Sequence, residues 1–372
     1  MEHKYIVSGI FTNFLFGAIS YVINIFAQKY KDEETLLYGI AGLFAASSVV
    51  LYAFIWKWNN VRTWSFYLVY VPLFLTSTFD FITTVDVWRE SNGVFLKEYL
   101  EIKDYHVHQV VGTNNSIFDG TIIHVLNFIS LWRLGSGKST RSLQLISATG
   151  LSMMCSVYAF CVLTSELPLH LLTKIFLTIL AIYVFLLPFG VLMIPRSFVL
   201  SHKQGSGSAP KLLRLITLPL LVAAGAVIVA KALVLNGVKN EYLEIVRLND
   251  PLIFLNDVEK TFPLIAGVIW QNVIVSLPLL LISFIYHFKT SKPTILWELS
   301  IINLGTALLN QFLFIGGSLF WKTPEDLQVN PANVTFWIIN LIPVVGTLAQ
   351  VVSLVPFRAS LVSVKAKSKK RS

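Results

Sequence analysis

The chain has 372 residues, 55% of them hydrophobic and 13% charged, with a formal net charge of +9. Soluble chains run at about 45–50% apolar and about 25% charged. The excess here is gathered in stretches of roughly 20 residues, each long enough to cross ~30 Å of hydrocarbon. That excludes an ordinary soluble enzyme, a disordered chain and a disulfide-stapled secreted module. A transmembrane β-barrel, with ~10-residue alternating strands, is excluded as well.

In chain order the apolar runs predict an all-α, polytopic membrane protein of about ten spans, at about 6–26, 37–57, 65–86, 117–133, 143–163, 168–194, 213–235, 263–286, 294–319 and 335–356. The first span is too long for a signal-peptide core and is expected to stay in the mature chain. Charges alternate between the loops. One set of ends and loops carries Lys4, Lys57, Arg62, Arg133, Lys138, Arg141, Arg196, Lys203, Lys211, Arg214, Lys289 and Lys292, with Glu2 as its only acid. The other set mixes acids such as Glu98, Asp104, Glu166, Glu244, Asp250 and Glu325 with bases. The positive-inside rule then puts both termini in the cytosol. The basic excess is thus a topology signal, and no nucleic-acid partner is expected.

Several motifs are weighed and set aside. Gly135-Ser-Gly-Lys138-Ser-Thr140 resembles part of a phosphate-binding loop, but the first-glycine place is Trp132, and a short basic turn between spans lacks the strand such a loop needs. The two cysteines, Cys155 and Cys161, share one apolar segment and form neither a disulfide framework nor a zinc cluster. His106 and His108 lack the partners of a metal site, so no metal and no cofactor is expected. Gly205-Ser-Gly-Ser-Ala209 reads as a flexible cytosolic linker. The sequons at Asn114 and Asn333 fall on the lumenal side, and Asn114 is the expected glycosylation site. Lys369 and Lys370 match a dilysine signal for return to the endoplasmic reticulum, which implies coat machinery as a partner.

Ionisable groups at membrane depth are functional candidates by default. Asp80 lies well inside the third span, where Thr76, Thr83 or Thr84 on its own helix could satisfy it. Asp119 opens the fourth span, where helix capping is the rival role. Lys231 and Glu298 lie near span ends and are expected to snorkel to the surface. Asn272, Asn303, Asn310, Gln311 and Asn340 can join helices. Tyr183 could offer a hydroxyl to a cavity.

Phe74-Leu-Thr-Ser-Thr-Phe-Asp80, Phe95-Leu-Lys-Glu-Tyr99 and Phe118-Asp-Gly-Thr121 resemble the first half of the transmembrane 6 superfamily. Tyr242, Asn249-Asp-Pro251, Leu277-Pro278, Gln311-Phe312, Gly316-Gly-Ser318, Lys322-Thr-Pro324, Asn340 and Gly346 resemble its second half. The resemblance implies two four-helix EXPERA modules, at about 61–195 and 213–352. An N-terminal helix pair (1–60), a cytosolic linker (196–212) and a basic tail (353–372) complete the chain. The same module forms the emopamil-binding protein, a sterol Δ8–Δ7 isomerase, and the sigma-2 receptor. By that resemblance Asp80 and Asp119 stand for the isomerase's two Glu, and Thr76 stands where it has His. In the second module Lys231 and Asn272 take the acids' places and Asn340 that of its Asn. The implied function is lipid homeostasis in the reticulum or its intermediate compartment, with a sterol or related lipid bound inside a module. Asp80, Asp119, Thr76, Tyr183, Asn272 and Asn340 are the candidate ligand-binding residues. An isomerase-like enzyme using Asp80 and Asp119 is the first alternative. A lipid transporter, or a scaffold for other membrane proteins, is the second.

Overall fold

The computed structural model of the chain describes residues 2–29, 64–89, 110–136, 138, 140–164, 186–193, 201–203, 211–253, 264–289, 294–319, 323–354 and 360–362, with isolated positions at 42, 46, 49, 53, 179 and 182. Most of the spans expected at 37–57 and 168–194 therefore lie outside the described residues, as do Tyr183, Lys369 and Lys370.

The described chain is helical apart from a short ribbon. In order come α1 (Glu2–Lys29), α2 (Trp64–Arg89) and α3. The last runs as Val110–Phe118, a π-helical turn at Asp119–Ile123, and His124–Gly135. Then follow α4 (Arg141–Thr164), α5 (Leu187–Met193), α6 (Lys211–Leu235) and α7 (Glu241–Asn249). Next is α8, which runs as Leu264–Gln271, a second π turn at Asn272–Ser276, and Leu277–His287. Last are α9 (Thr294–Leu319) and α10 (Val334–Leu354). Strands β1 (Ser201–Lys203) and β2 (Ser360–Val362) pair antiparallel, so part of the expected linker is tied to the basic tail.

Among the described residues, four helices are long and apolar enough to cross a membrane: Leu215–Leu235, Ile265–His287, Ile295–Leu319 and Val334–Leu354. In hydrocarbon a backbone must satisfy its own polar groups, and a helix does so within one segment. The side chains are sorted as lipid demands. Ile338, Leu341, Val345, Leu348 and Val352 make an exposed apolar stripe down α10, while Asn340, Thr347 and Gln350 of the same helix are buried. The protein is membrane-embedded.

One group of helices is α2–α5, where α2 crosses α3 and α5 packs on α2 and α4; the second is α6–α10. In the second group α6 lies along α10, and α9 packs on α10. Gly346 permits the α6–α10 crossing, because a Cβ there would lie 2.8 Å from the Leu220 carbonyl oxygen. Between the groups α9 packs on α4. α8 meets α4 on one side, and α3 meets α9 on the other. Leu145, Ala148 and Leu151 of α4 share one apolar cluster with Ile301 and Leu304 of α9. The two groups also share local features. Pro72 and Pro219 each fall at the ninth residue of α2 and α6. Each second helix carries a five-residue π turn, opening at Asp119 in one and at Asn272 in the other.

α3 starts seven residues earlier than the sequence suggests. Thr113-Asn-Asn-Ser116 is polar enough to read as a loop, yet these four residues are buried inside the helix. Asn114, expected on a lumenal loop, is only 3% exposed. Gly316 of α9 lies against it, so close that a Cβ there would be 2.7 Å from Asn114 Oδ1. A glycan on Asn114 has no room in this packing.

Candidate functional site

The acid pair forms where α2 crosses the π turn of α3. Gly120 lets the backbones touch, since a Cβ there would lie 2.3 Å from the Asp80 carbonyl oxygen. π turns gather at functional sites because they re-aim side chains within a helix. This one sets Asp119, which is 1% exposed, toward Asp80. The two carboxyls approach each other closely, without the alignment of a formed hydrogen bond. An ionised carboxylate only accepts hydrogen bonds, so an attractive contact between two carboxyls needs a proton on one of them. Cys155 of α4 lies within electrostatic reach of both acids.

Of the three threonines foreseen as partners of Asp80, Thr76 and Thr84 donate to backbone carbonyls, and the buried Thr83 hydroxyl makes no hydrogen bond. Thr76 Oγ1 donates to the Pro72 carbonyl at 2.9 Å, and Thr84 Oγ1 donates to the Asp80 and Ser116 carbonyls at 2.7 and 3.0 Å. Asp119 caps no helix end, because the helix begins at Val110.

In the second group a different set of charges is buried. Lys231, expected to snorkel, is 3% exposed. Its Nζ pairs with Asp250 Oδ2 at 2.6 Å, donates to Asn340 Oδ1 at 2.7 Å, and sits 3.6 Å from the Phe314 ring centroid. Asp250 is fully buried just after α7, so the pair ties that short helix to α6 and α10. Asn272 Oδ1 accepts from Asn310 Nδ2 at 2.8 Å. Asn272 and Asn340 thus serve contacts within the second group, while Asp80 and Asp119 meet in the first.

Glu298 does not snorkel either. It is 4% exposed and receives Arg141 Nε at 2.6 Å. The same guanidinium donates to the carbonyls of Val191 and Leu192, both at 2.9 Å. One cation thereby holds α4, α5 and α9 together.

A cavity of about 690 Å³ opens between α1, α2 and α3. Ile10, Asn13, Phe14, Gly17 and Ala18 form its α1 wall, Phe81, Ile82 and Val85 its α2 wall, and His124 and Phe128 its α3 wall. The small residues Gly17 and Ala18 leave the room. Asn13 and His124 are the polar residues in an otherwise apolar lining. Asp80 and Asp119 are not part of this lining.

Three buried groups escaped the sequence reading of the site. His124 sits in Ile122-Ile-His-Val-Leu126, an apolar run in which any ionisable residue is a signal. Arg141 and Asp250 were counted as loop charges, and only tertiary contact reveals them as buried. Among the described residues no group of three or more His, Cys, Asp or Glu could hold a metal ion.

Compared with known proteins, the chain matches no family model, no curated protein and no solved structure.

Proposed function

We propose that this membrane protein binds a sterol or a related lipid within its helical bundle, in the cavity between α1, α2 and α3. The carrying observation is the cavity itself. Its volume of about 690 Å³ falls within the ~300–1,000 Å³ of small-molecule sites, and such sites pair an apolar wall with a few polar groups. An apolar lining with His124 and Asn13 suits a rigid lipid with one polar end. Asp80 and Asp119 do not line this cavity, which favours binding over double-bond isomerisation.

The wider proposal is a ten-span protein of two EXPERA modules, related to the transmembrane 6 superfamily. The paired π turns and the matching Pro72 and Pro219 support the duplication. Residence in the endoplasmic reticulum and retrieval by coat machinery, suggested by the basic run around Lys369 and Lys370, belong to the same proposal.

The test is equilibrium binding of tritiated cholesterol to the full-length protein in nanodiscs. Binding is expected to saturate, and Ala18→Phe, which fills the cavity from α1, is expected to weaken it at least about tenfold. Absence of saturable binding, or a plugged variant that binds as well as the parent, would refute the proposal.

A further inference from the structure

The short helix α7 is specified by its local sequence. α6 ends on a turn in which the Val238 N–H donates to the Leu233 carbonyl and the Gly237 N–H to the Val234 carbonyl, both at 3.0 Å, with Gly237 at φ +75°. Asn240 then caps the new helix by accepting from the Tyr242 N–H at 2.9 Å. Glu241 and Glu244 lie in its first turn and Arg247 in its last, each at the end where its charge complements the helix dipole.

The far end of α7 returns to membrane depth. Lys231 lies one turn, about 6 Å, before Leu235, the last residue of α6. Asp250, just after α7, pairs with it at 2.6 Å. Asn249 Oδ1 accepts at 2.8 Å from Nδ2 of Asn333, the residue ahead of α10. α6 and α10 run antiparallel, Lys231 meeting Asn340 and Thr217 meeting Ala349. The end of α6 and the start of α10 therefore share one face of the bundle, and α7 closes down onto the level where both spans leave the hydrocarbon.

At ~100° per residue α7 divides into three sectors. Val246 is buried and Leu243 half-buried against the apolar core of the second group. Glu244 and Arg247 form an exposed ion pair on another side. Tyr242, Ile245 and Leu248 make the third sector, and they are 75%, 54% and 67% exposed. Glu241, the one charge in that sector, sits at the end away from the Lys231–Asp250 tie. Protein on one side, charge on the second and exposed apolar groups on the third is the pattern of a helix lying in a membrane interface. At the same level Val334, 68% exposed, heads the lipid-facing stripe of α10. We infer that α7 is such an interfacial helix, and that Tyr242, Ile245 and Leu248 insert among the lipids of the leaflet at which α6 ends. Asp250 ties that contact to Lys231 inside the second group. The inference holds whether or not a lipid occupies the cavity between α1, α2 and α3.

Nitroxide labels on the full-length protein in phosphatidylcholine nanodiscs test the inference. They are placed by Ile245→Cys, Leu248→Cys or Arg247→Cys in a chain that also carries Cys155→Ala and Cys161→Ala. Interfacial helices bury their apolar face ~5–10 Å deep, so the ratio of oxygen to nickel-chelate accessibility is expected to be at least about fivefold higher at 245 and 248 than at 247. Equal ratios at all three positions, each open to the nickel chelate, would place the stripe in water and overturn the inference. Labels at 245 and 248 closed to both reagents would show another protein or a second copy of the chain on the stripe, and would overturn it too. The unmodified chain decides if the labelled variants do not fold. A bilayer-restricted aryl diazirine is expected to modify Tyr242, Ile245 and Leu248, and adducts on α10 with none on 241–249 would overturn the inference.

Discussion

Lys231→Met is the perturbation with the sharpest expected outcome. The ammonium it removes is buried, sits 2.6 Å from Asp250, 2.7 Å from Asn340 and over the Phe314 ring. Its loss strands the Asp250 carboxylate, which is fully buried. Uncompensated buried charges of this kind cost about 3–5 kcal/mol. Asn340 Oδ1 loses its donor as well, a further ~1–3 kcal/mol. Pairing the change with Asp250→Leu removes the stranded charge and leaves only the Asn340 cost. The double variant is therefore expected to recover most of the loss and lie within about 1–3 kcal/mol of the parent. The assay is the fraction of folded, monodisperse protein after heating in detergent, read by fluorescence-detected size exclusion. A double variant as unstable as Lys231→Met alone would refute the assignment of a buried ion pair.

Three other outcomes follow from named contacts. Gly120→Ala adds a Cβ 2.3 Å from the Asp80 carbonyl oxygen, so α2 must move off α3, at a cost of about 1–3 kcal/mol or more; a variant as heat-stable as the parent would contradict the direct crossing. Arg141→Met leaves Glu298 and two carbonyls without their donor and should cost about 3–5 kcal/mol, whereas Glu298→Gln keeps both carbonyl bonds and should cost less; equal losses in the heating assay would argue against a clamp centred on the guanidinium. Asn114 is 3% exposed inside α3, so Asn114→Gln should leave the gel mobility of protein made in mammalian cells unchanged, with and without endoglycosidase; a mobility step lost in the variant would show that the segment is a loop.

The spans of the second group are legible in the sequence because α6, α8, α9 and α10 are long unbroken apolar runs, and their lengths match the hydrocarbon thickness. The start of α3 is not. Thr113-Asn-Asn-Ser116 reads as a loop by hydropathy, but its polar side chains are buried between helices, where Gly316 makes space. Hydropathy scores a residue and not its partner. The same limit explains Lys231 and Glu298. Each was expected to reach for water, and each is held by a charge distant in sequence, Asp250 in one case and Arg141 in the other. A shared site for Asp80 and Asp119 was implied only by the resemblance, and the close approach of their backbones depends on Gly120, which no spacing in the sequence announces. The location of the cavity was not legible. It depends on where α1 docks and on Gly17 and Ala18 facing inward, and no pattern within α2 or α3 announces that.

The central claim, that a lipid occupies the space between α1, α2 and α3, is tested most directly by photolabelling the full-length protein with a clickable diazirine sterol and locating the adducts by mass spectrometry. Adducts are expected within 10–18, 81–85 and 124–128, and they should be competed by excess cholesterol and lost in Ala18→Phe. Adducts confined to the lipid-facing groove between α6 and α8, around Leu221, Gly225 and Leu281, and indifferent to Ala18→Phe, would contradict it.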